Sequence, residues 1–475
     1  MAHRLTERID AVLDLDPTAP AIEYEDRWVS WGELGTYARA VSSLLGDGRP
    51  QVGVLLRNRP EHIATVLGIL LSGATLVVIN PSRGDDRIKA DLEALELPVV
   101  IGIADDIAAY AASTTPAITI GDITRTPTAT ASVAADDVRT GVAVRMLTSG
   151  TTGPPKRIDL TYDMLAHSVL GPAPTGPRHG VAIVNAPLVH IGGIYRVLQN
   201  ICEARSFVLL PKFDLQRWAA AVRTYRPKAV SLVPAALRTV LYSDLTADDL
   251  AGVRAVTSGT APLSADDADA FTEKFGIPVL TSYAATEFGG GVAGWSLADH
   301  QQYWNAKRGS VGRASLGAQL RVVSEDGDPV GIGESGLLEV KPGQLGKDTP
   351  WLRTTDLARI DADGFLWILG RADQAIVRGG FKVLPDDVRS ALESHPDVQG
   401  AAVVGRPDTR LGETPVAMVE LREGVSAEEL TAYLRNRLAP YEIPTDIAIV
   451  EAIPRTPSGK ADLTAVRQHF ASGAA

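Results

Sequence analysis

The sequence predicts an α/β protein, with a large N-terminal domain of two α/β subdomains built on mainly parallel sheets, a small β-rich lobe, and a small α+β C-terminal domain. Three observations carry this. Apolar, β-branched stretches alternate with helical patterns from Trp31 to Tyr283, short strands and turns take over beyond Gly317, and a new compact pattern starts after Gly370-Arg371-Ala372-Asp373. Alternating β and α elements imply parallel sheets covered on both faces. A chain of 475 residues, 45% hydrophobic, can bury large cores and divides into at least two domains.

In order, Trp31, Leu34, Tyr37, Ala38, Val41, Leu44 and Leu45 follow the spacing of an amphipathic helix. A strand over Gln51 to Leu56, a helix opened by Pro60 and running to Leu71, a strand over Leu76 to Ile79, a helix over Asp85 to Leu95 and a strand at Val99-Val100-Ile101 follow. The nearly uncharged stretch Ile63 to Asn80 approaches the length of a membrane span, but Gly68, Ser72, Gly73 and Thr75 interrupt it. It reads as a buried helix and a strand, and no stable membrane insertion is expected. The Thr/Ala/Pro-rich run from Ala111 to Thr140 reads as weakly structured.

The second unit has strands at Val181 to Asn185, Phe207 to Leu210, Ala229 to Val233, Arg254 to Thr257 and Val279 to Tyr283, with helices from Ile191 and over Leu215 to Arg223. The β-rich lobe contains Val322 to Val330, Gly336 to Lys341 and an Asp361-Ala362-Asp363-Gly364 hairpin turn. Gly331 to Gly336 matches G-x-G-x-x-G but leads into a strand, so it is a chance match. The last region has helices over Asp386 to Ser394 and Ala427 to Leu438 and strands over Ala401 to Val404 and Pro415 to Leu421. The domains are therefore expected at 1–370 and 374–475, joined through 371–373, which the resemblance set out below makes a hinge.

A net charge of −11 without a basic run argues against nucleic acid as a partner. The single cysteine, Cys202, excludes an internal disulfide and a Cys-based metal site, and suits a reducing cytoplasm. Met1 to Asp10 lacks the continuous apolar core of a signal peptide.

Chemistry is concentrated first in Leu147-Thr148-Ser149-Gly150-Thr151-Thr152-Gly153-Pro154-Pro155-Lys156. Glycines let backbone N–H groups approach an anion, hydroxyls add rotatable donors, and the lysine adds a point charge. Only two residues separate the glycines, so this is not a Walker loop. The segment resembles the phosphate loop of the adenylate-forming superfamily, which holds acyl-CoA synthetases, luciferases and peptide-synthetase adenylation domains. Seven segments resembling that family's occur in its order and approximate spacing, across nearly the whole chain.

The resemblance implies residue roles. His190, in Pro187-Leu188-Val189-His190, would lie beside the carboxylate and gate the thiol tunnel; Ser258-Gly259-Thr260-Ala261-Pro262 would cover adenine. In Ser282-Tyr283-Ala284-Ala285-Thr286-Glu287, the ring would stack on adenine, the Thr286 hydroxyl bond the α-phosphate, and Glu287 hold Mg²⁺. Asp356 would accept from both ribose hydroxyls, with Arg371 as a donor to the same sugar. Gly380 would line the pantetheine channel, Lys382 serve the CoA side, Asp373 act as the pivot, and Lys460 bridge the acid and the α-phosphate. The acid would meet Ile191, Gly192, Gly193, Ser231, Ala284, Gly289, Gly290 and Gly291, a glycine-rich set that leaves space for a sizeable hydrophobic acid or serves the backbone instead.

The implied activity is an AMP-forming acid–CoA ligase using ATP, Mg²⁺ and CoA on a small carboxylic acid of fatty-acid or secondary metabolism. Arg157, Thr260, Ala284 and Thr355 stand where the family has glycine. That leaves open an enzyme that forms thioester from preformed acyl-AMP but adenylates poorly. An enzyme that loads a carrier protein or forms an amide, and a nucleotide-binding pseudoenzyme, are the other readings; a homodimer is the assembly to test for.

Overall fold

The computed structural model describes residues 2–82, 85–111, 115–133, 141–148, 156–378, 381–456 and 459–472. The chain forms two compact units, one of residues 1–231, 246–256 and 285–290, the other of residues 232–245, 257–284 and 291–475.

The first unit holds a seven-stranded sheet in the order Thr128–Ala129, Ala117–Ile120, Val99–Ile103, Gln51–Leu55, Thr75–Ile79, Val142–Thr148, Lys156–Thr161. Its five inner strands run parallel and only the edge strands are antiparallel. The inner strands are rich in Val and Ile, as burial on both faces requires. The expectation of a weakly structured Ala111 to Thr140 is corrected in part, because Ala117–Ile120 extends this sheet in parallel with Val99–Ile103. A second sheet is ordered Arg178–Val184, Arg205–Leu209, Pro20–Tyr24, Arg27–Ser30. Pro20–Tyr24 was not expected at all; it pairs in parallel with a strand far along the chain.

Local signals set the helix starts. Ser30 and Glu33 form a reciprocal capping box before Trp31–Leu45, and Pro60 opens Pro60–Ser72 where its missing N–H costs nothing. These two helices meet at Gly68, where an added Cβ would lie 2.4 Å from the Ala38 carbonyl oxygen. No helix among the described residues is long and apolar enough to cross a membrane.

The second unit contains an antiparallel sheet of Gln319–Val323, Ser335–Lys341, Leu352–Ile360 and Leu366–Arg371. The expected strand Val322 to Val330 is instead a strand end and a tight return, with Val330 N–H donating to Val322 O at 3.1 Å. A further sheet is ordered Phe381–Val383, Ile376–Arg378, Gly412–Leu421, Val398–Asp408, with Ile447–Val450 parallel to Gly412–Leu421. Its alternation is clean: Ala401, Val403, Ala417 and Val419 share a core with Val388, Leu392, Leu430 and Leu434, whereas Ala402, Val404, Val416 and Met418 pack with Val466 and Phe470.

His62, in the Pro60–Ser72 helix, is fully buried, and neither ring nitrogen has a hydrogen-bond partner among the described residues. Burial, followed by Arg57 and Arg59, pushes its imidazole down to about 3. The unfolded chain takes up this proton below its ordinary range near 6.5 while the folded chain does not, so stability is complete above pH 6.5 and is lost as pH falls toward 3. Denaturation midpoints of wild type and His62→Leu measured from pH 7 to pH 4 should diverge, wild type losing up to about 1.4 kcal/mol more per pH unit. Parallel curves would show that His62 does not drive the acid sensitivity.

Candidate active site

In the second unit, three predicted residues and the expected pivot meet. The Tyr283 hydroxyl, near the end of the strand Val279–Ala285, donates to the Asp356 carboxylate. Asp356 stands opposite Arg371 in the antiparallel pairing of Leu352–Ile360 with Leu366–Arg371. Arg371 forks onto Asp373, with Nε to Oδ1 at 2.9 Å and Nη2 to Oδ2 at 2.6 Å. That pair holds the Asp373 carboxyl below its ordinary range, and Thr355 reinforces it through a side-chain hydrogen bond. A half-buried aromatic ring beside a carboxylate and a guanidinium suits a nucleoside, because the ring offers a flat face and the carboxylate accepts from vicinal hydroxyls.

Ser258 and Gly259 approach Ser282, on the same strand as Tyr283. Ser282 Oγ donates to the Ser258 carbonyl at 3.4 Å, and a Cβ added to Gly259 would lie 2.8 Å from Ser282 Oγ. Glycine is required there by space. Ser258 is buried and its Oγ has no partner among the described residues. Thr260 adopts φ +71°, a left-handed conformation that a β-branched residue rarely takes, while its side chain is exposed; Ala261 and Pro262 complete the turn. Thr260 thus keeps the backbone shape that a glycine would hold.

In the first unit, His190 is the residue preceding the helix Ile191–Cys202. Asn58 fixes the loop before it, accepting from Leu188 N at 2.8 Å and donating to Ala186 O and Leu210 O at 3.0 and 3.1 Å. Sequence reading missed Asn58, whose only signal was a polar residue between a strand and a helix-opening proline. A Cβ on Gly193 would lie 2.1 Å from the Pro187 carbonyl oxygen, whereas one on Gly192 would meet nothing within 4 Å. Tyr195 donates to Gly289 O at 2.6 Å, bringing together two segments that the sequence analysis expected to meet the acid. Gly289 and Gly290 have φ of +70° and +133°, so these glycines serve the backbone. Thr286 and the exposed Glu287 lie in the short turn Thr286–Phe288, and Ser231 ends the strand Ala229–Ser231. In the second unit, a Cβ on Gly291 would meet open space, and Ala284 is exposed.

Thr148 and Lys156 are paired in register, closing the hairpin of Val142–Thr148 with Lys156–Thr161, and Arg157 is exposed. Ser149, Gly150, Thr151, Thr152, Gly153 and Gly380 lie outside the described residues, as do the side chains of Thr148, Lys156 and Lys382. The backbone of Lys382 pairs with Val377. Lys460 is exposed on a turn closed by Thr456 N–H to Lys460 O at 2.7 Å. Gly459, at φ +80°, approaches Val233, whose Cγ2 would lie 3.9 Å from an added Cβ.

No group of three or more His, Cys, Asp or Glu side chains suited to a metal occurs among the described residues. A single exposed carboxylate, Glu287, fits Mg²⁺ carried by a nucleotide, since that ion keeps waters and phosphate oxygens as most of its ligands. A surface depression of about 630 Å³ lined by Ser42, Ser43, Arg49 and Ser72 contains none of the motif residues.

Residues 10–347 match the sequence profile described as AMP-binding enzyme, and residues 387–460 that of the AMP-binding enzyme C-terminal domain. The chain is 30% identical over 466 residues to a 2-succinylbenzoate–CoA ligase of Bacillus cereus, covering 94% of each. It is 29% identical to an indoleacetate–CoA ligase of Aromatoleum aromaticum, covering 98% of each. The crystal structure of ATP-bound MatB from Rhodopseudomonas palustris superposes with a TM-score of 0.81 at 25% identity, over 98% of both chains.

The two neighbouring glycines should respond oppositely to alanine. Gly192→Ala should melt at or above the wild-type temperature, because alanine is favoured over glycine in a helix by about 1 kcal/mol. Gly193→Ala should lower stability by about 1–3 kcal/mol or more, since its Cβ meets backbone. Equal melting temperatures for both variants in thermal denaturation would contradict this assignment.

Proposed function

The chain belongs to the AMP-binding enzyme family, and from that premise we propose that it is an acid–CoA ligase that activates a sizeable hydrophobic carboxylic acid in two half-reactions. The observation that carries this is the Tyr283 hydroxyl on the Asp356 carboxylate, with Arg371 opposite, which assembles nucleoside recognition from three separate motifs.

In the first half-reaction a carboxylate oxygen of the acid attacks the α-phosphorus of ATP, and pyrophosphate leaves. Lys460 and the Thr148 to Lys156 loop offset the negative charge that gathers there, with the Thr286 hydroxyl on the α-phosphate. Mg²⁺ held by Glu287 would neutralise phosphate charge. In the second, the CoA thiol releases its proton to solvent, its sulfur attacks the acyl carbon, and AMP leaves with the bonding pair on its phosphate oxygen. His190 lies on the path of the thiol in this reading. Lys460 and Gly380 serve different steps, so residues 374–475 turn about Asp373 between them.

The absence of any atom within 4 Å of a Cβ added at Gly192 supports room for the acid there. The relatives named for 2-succinylbenzoate and indoleacetate support one with an aromatic ring. Exposed Arg157, the glycine-like backbone of Thr260 and the tie from Thr355 to Asp373 support efficient adenylation in spite of the substitutions. A reducing cytoplasm belongs to this reading, because the thiol acceptor must stay reduced.

The test is a panel of 2-succinylbenzoate, indoleacetate, 4-coumarate, octanoate and acetate, assayed separately for pyrophosphate release and CoA thioester. An aryl acid should give both products and acetate neither. Lys460→Ala should lower pyrophosphate release by about a hundredfold or more while sparing thioester formation from synthetic acyl-adenylate. Asp356→Ala should raise KM for ATP by about tenfold. Thioester from acyl-adenylate without pyrophosphate release from any acid would favour the thioesterification-only alternative.

A further inference from the structure

We propose that Arg238 and Glu393 are positioning residues for adenylation: their buried ion pair joins the helices Pro234–Leu241 and Pro385–Glu393, holds the Lys460 turn beside Val233, and opens before thioester forms. This rests on the two-step reading above.

Arg238 lies in the helix sequence Pro-Ala-Ala-Leu-Arg-Thr-Val-Leu and is only 9% exposed. A charge there is tolerated only with good partners. Its Nε meets Asp267 Oδ2 at 2.7 Å and its Nη2 meets Glu393 Oε2 at 3.0 Å. The same Glu393 oxygen accepts from Arg389 Nη1 at 2.6 Å, Arg389 Nε reaches Asp386 Oδ1 at 3.0 Å, and Glu393 Oε1 accepts from Ala401 N at 3.3 Å. At the rim, Tyr242 donates to Asp267 at 2.9 Å and carries the Arg422 guanidinium over its ring at 3.4 Å.

The network straddles the proposed pivot. Arg238, Tyr242 and Asp267 precede it in sequence; Asp386, Arg389, Glu393 and Arg422 follow it. Separating the two groups strands no bare charge, because Arg238 keeps Asp267 while Glu393 keeps Arg389. A pair that is buried when closed and still partnered when open is suited to a contact made and broken in every cycle.

The helix that carries Arg238 also connects this network to the lysine. Val233 immediately precedes Pro234 and is the residue that Gly459 approaches, next to Lys460. Losing the pair removes one restraint on the turn that carries Lys460 without altering any group that touches nucleotide.

The test uses the full-length chain with spin labels at exposed Gln301 and Asn436, in wild type, Arg238→Met, Glu393→Gln, the double variant and Arg238→Lys. Wild type should give one narrow distance distribution; both single variants should broaden it, the double variant no further, and Arg238→Lys should largely restore it. With 2-succinylbenzoate, indoleacetate and their synthetic adenylates, Arg238→Met should lose about tenfold or more in pyrophosphate release while thioester formation stays within about twofold. Unchanged distances, or both half-reactions falling in proportion, would overturn the proposal. If Arg238→Met does not fold, Arg422→Gln should broaden the distances by a smaller amount in the same direction, and an unchanged distribution there overturns it equally. If no acid is turned over, the ligase reading fails, and the distances still decide whether the pair holds the closed arrangement.

Discussion

The hydrogen bond from Tyr283 to Asp356 is the constraint on which the proposed nucleotide site is built. It fastens the end of one strand to the middle of an antiparallel strand, and the antiparallel register then fixes which guanidinium faces the carboxylate. A shift of one residue would turn Asp356 to the other face and present Thr355 or Leu357 instead. In the proposed function, recognition of a flat base and a sugar diol would therefore depend on strand register more than on any single charge. Ser258 and Gly259 obey the same constraint, because Gly259 must lack a side chain for its segment to lie against Ser282.

Of the residues standing where the resembled family has glycine, Thr260 is explained by backbone geometry, and nothing in the structure explains Ala284. Thr260 occupies the left-handed region at a cost on the order of 1–2 kcal/mol, and its side chain is exposed. Thr355 bonds to the carboxylate that Arg371 also holds, so the substitution adds a link to the expected pivot. Arg157 is exposed on the hairpin strand that begins at Lys156.

Charge burial follows a consistent rule in the second unit. Arg238, Asp267 and Glu393 are nearly enclosed, yet each has at least one oppositely charged partner at hydrogen-bonding distance. Burial by itself lowers the Arg238 guanidinium, and the carboxylates of Glu393 and Asp267 more than reverse that. His62 is the contrast: with no partner among the described residues, its imidazole answers burial by giving up its proton.

Much of this was legible in the residue order. The helical pattern from Trp31, the helix opened by Pro60, the helix over Asp386 to Ser394, the strand over Ala401 to Val404 and the family's motifs follow from local chemistry, since capping, apolar periodicity and glycine spacing act within a few residues. Tertiary structure alone decided that Pro20–Tyr24 pairs with Arg205–Leu209, that Asn58 anchors a loop 130 residues away, and that Arg238 meets a carboxylate 155 residues away. A backbone N–H or a buried guanidinium requires a partner but carries no information about which one. That choice is made by the combined burial and hydrogen bonding of the folded chain, in which distant segments compete for the same neighbours.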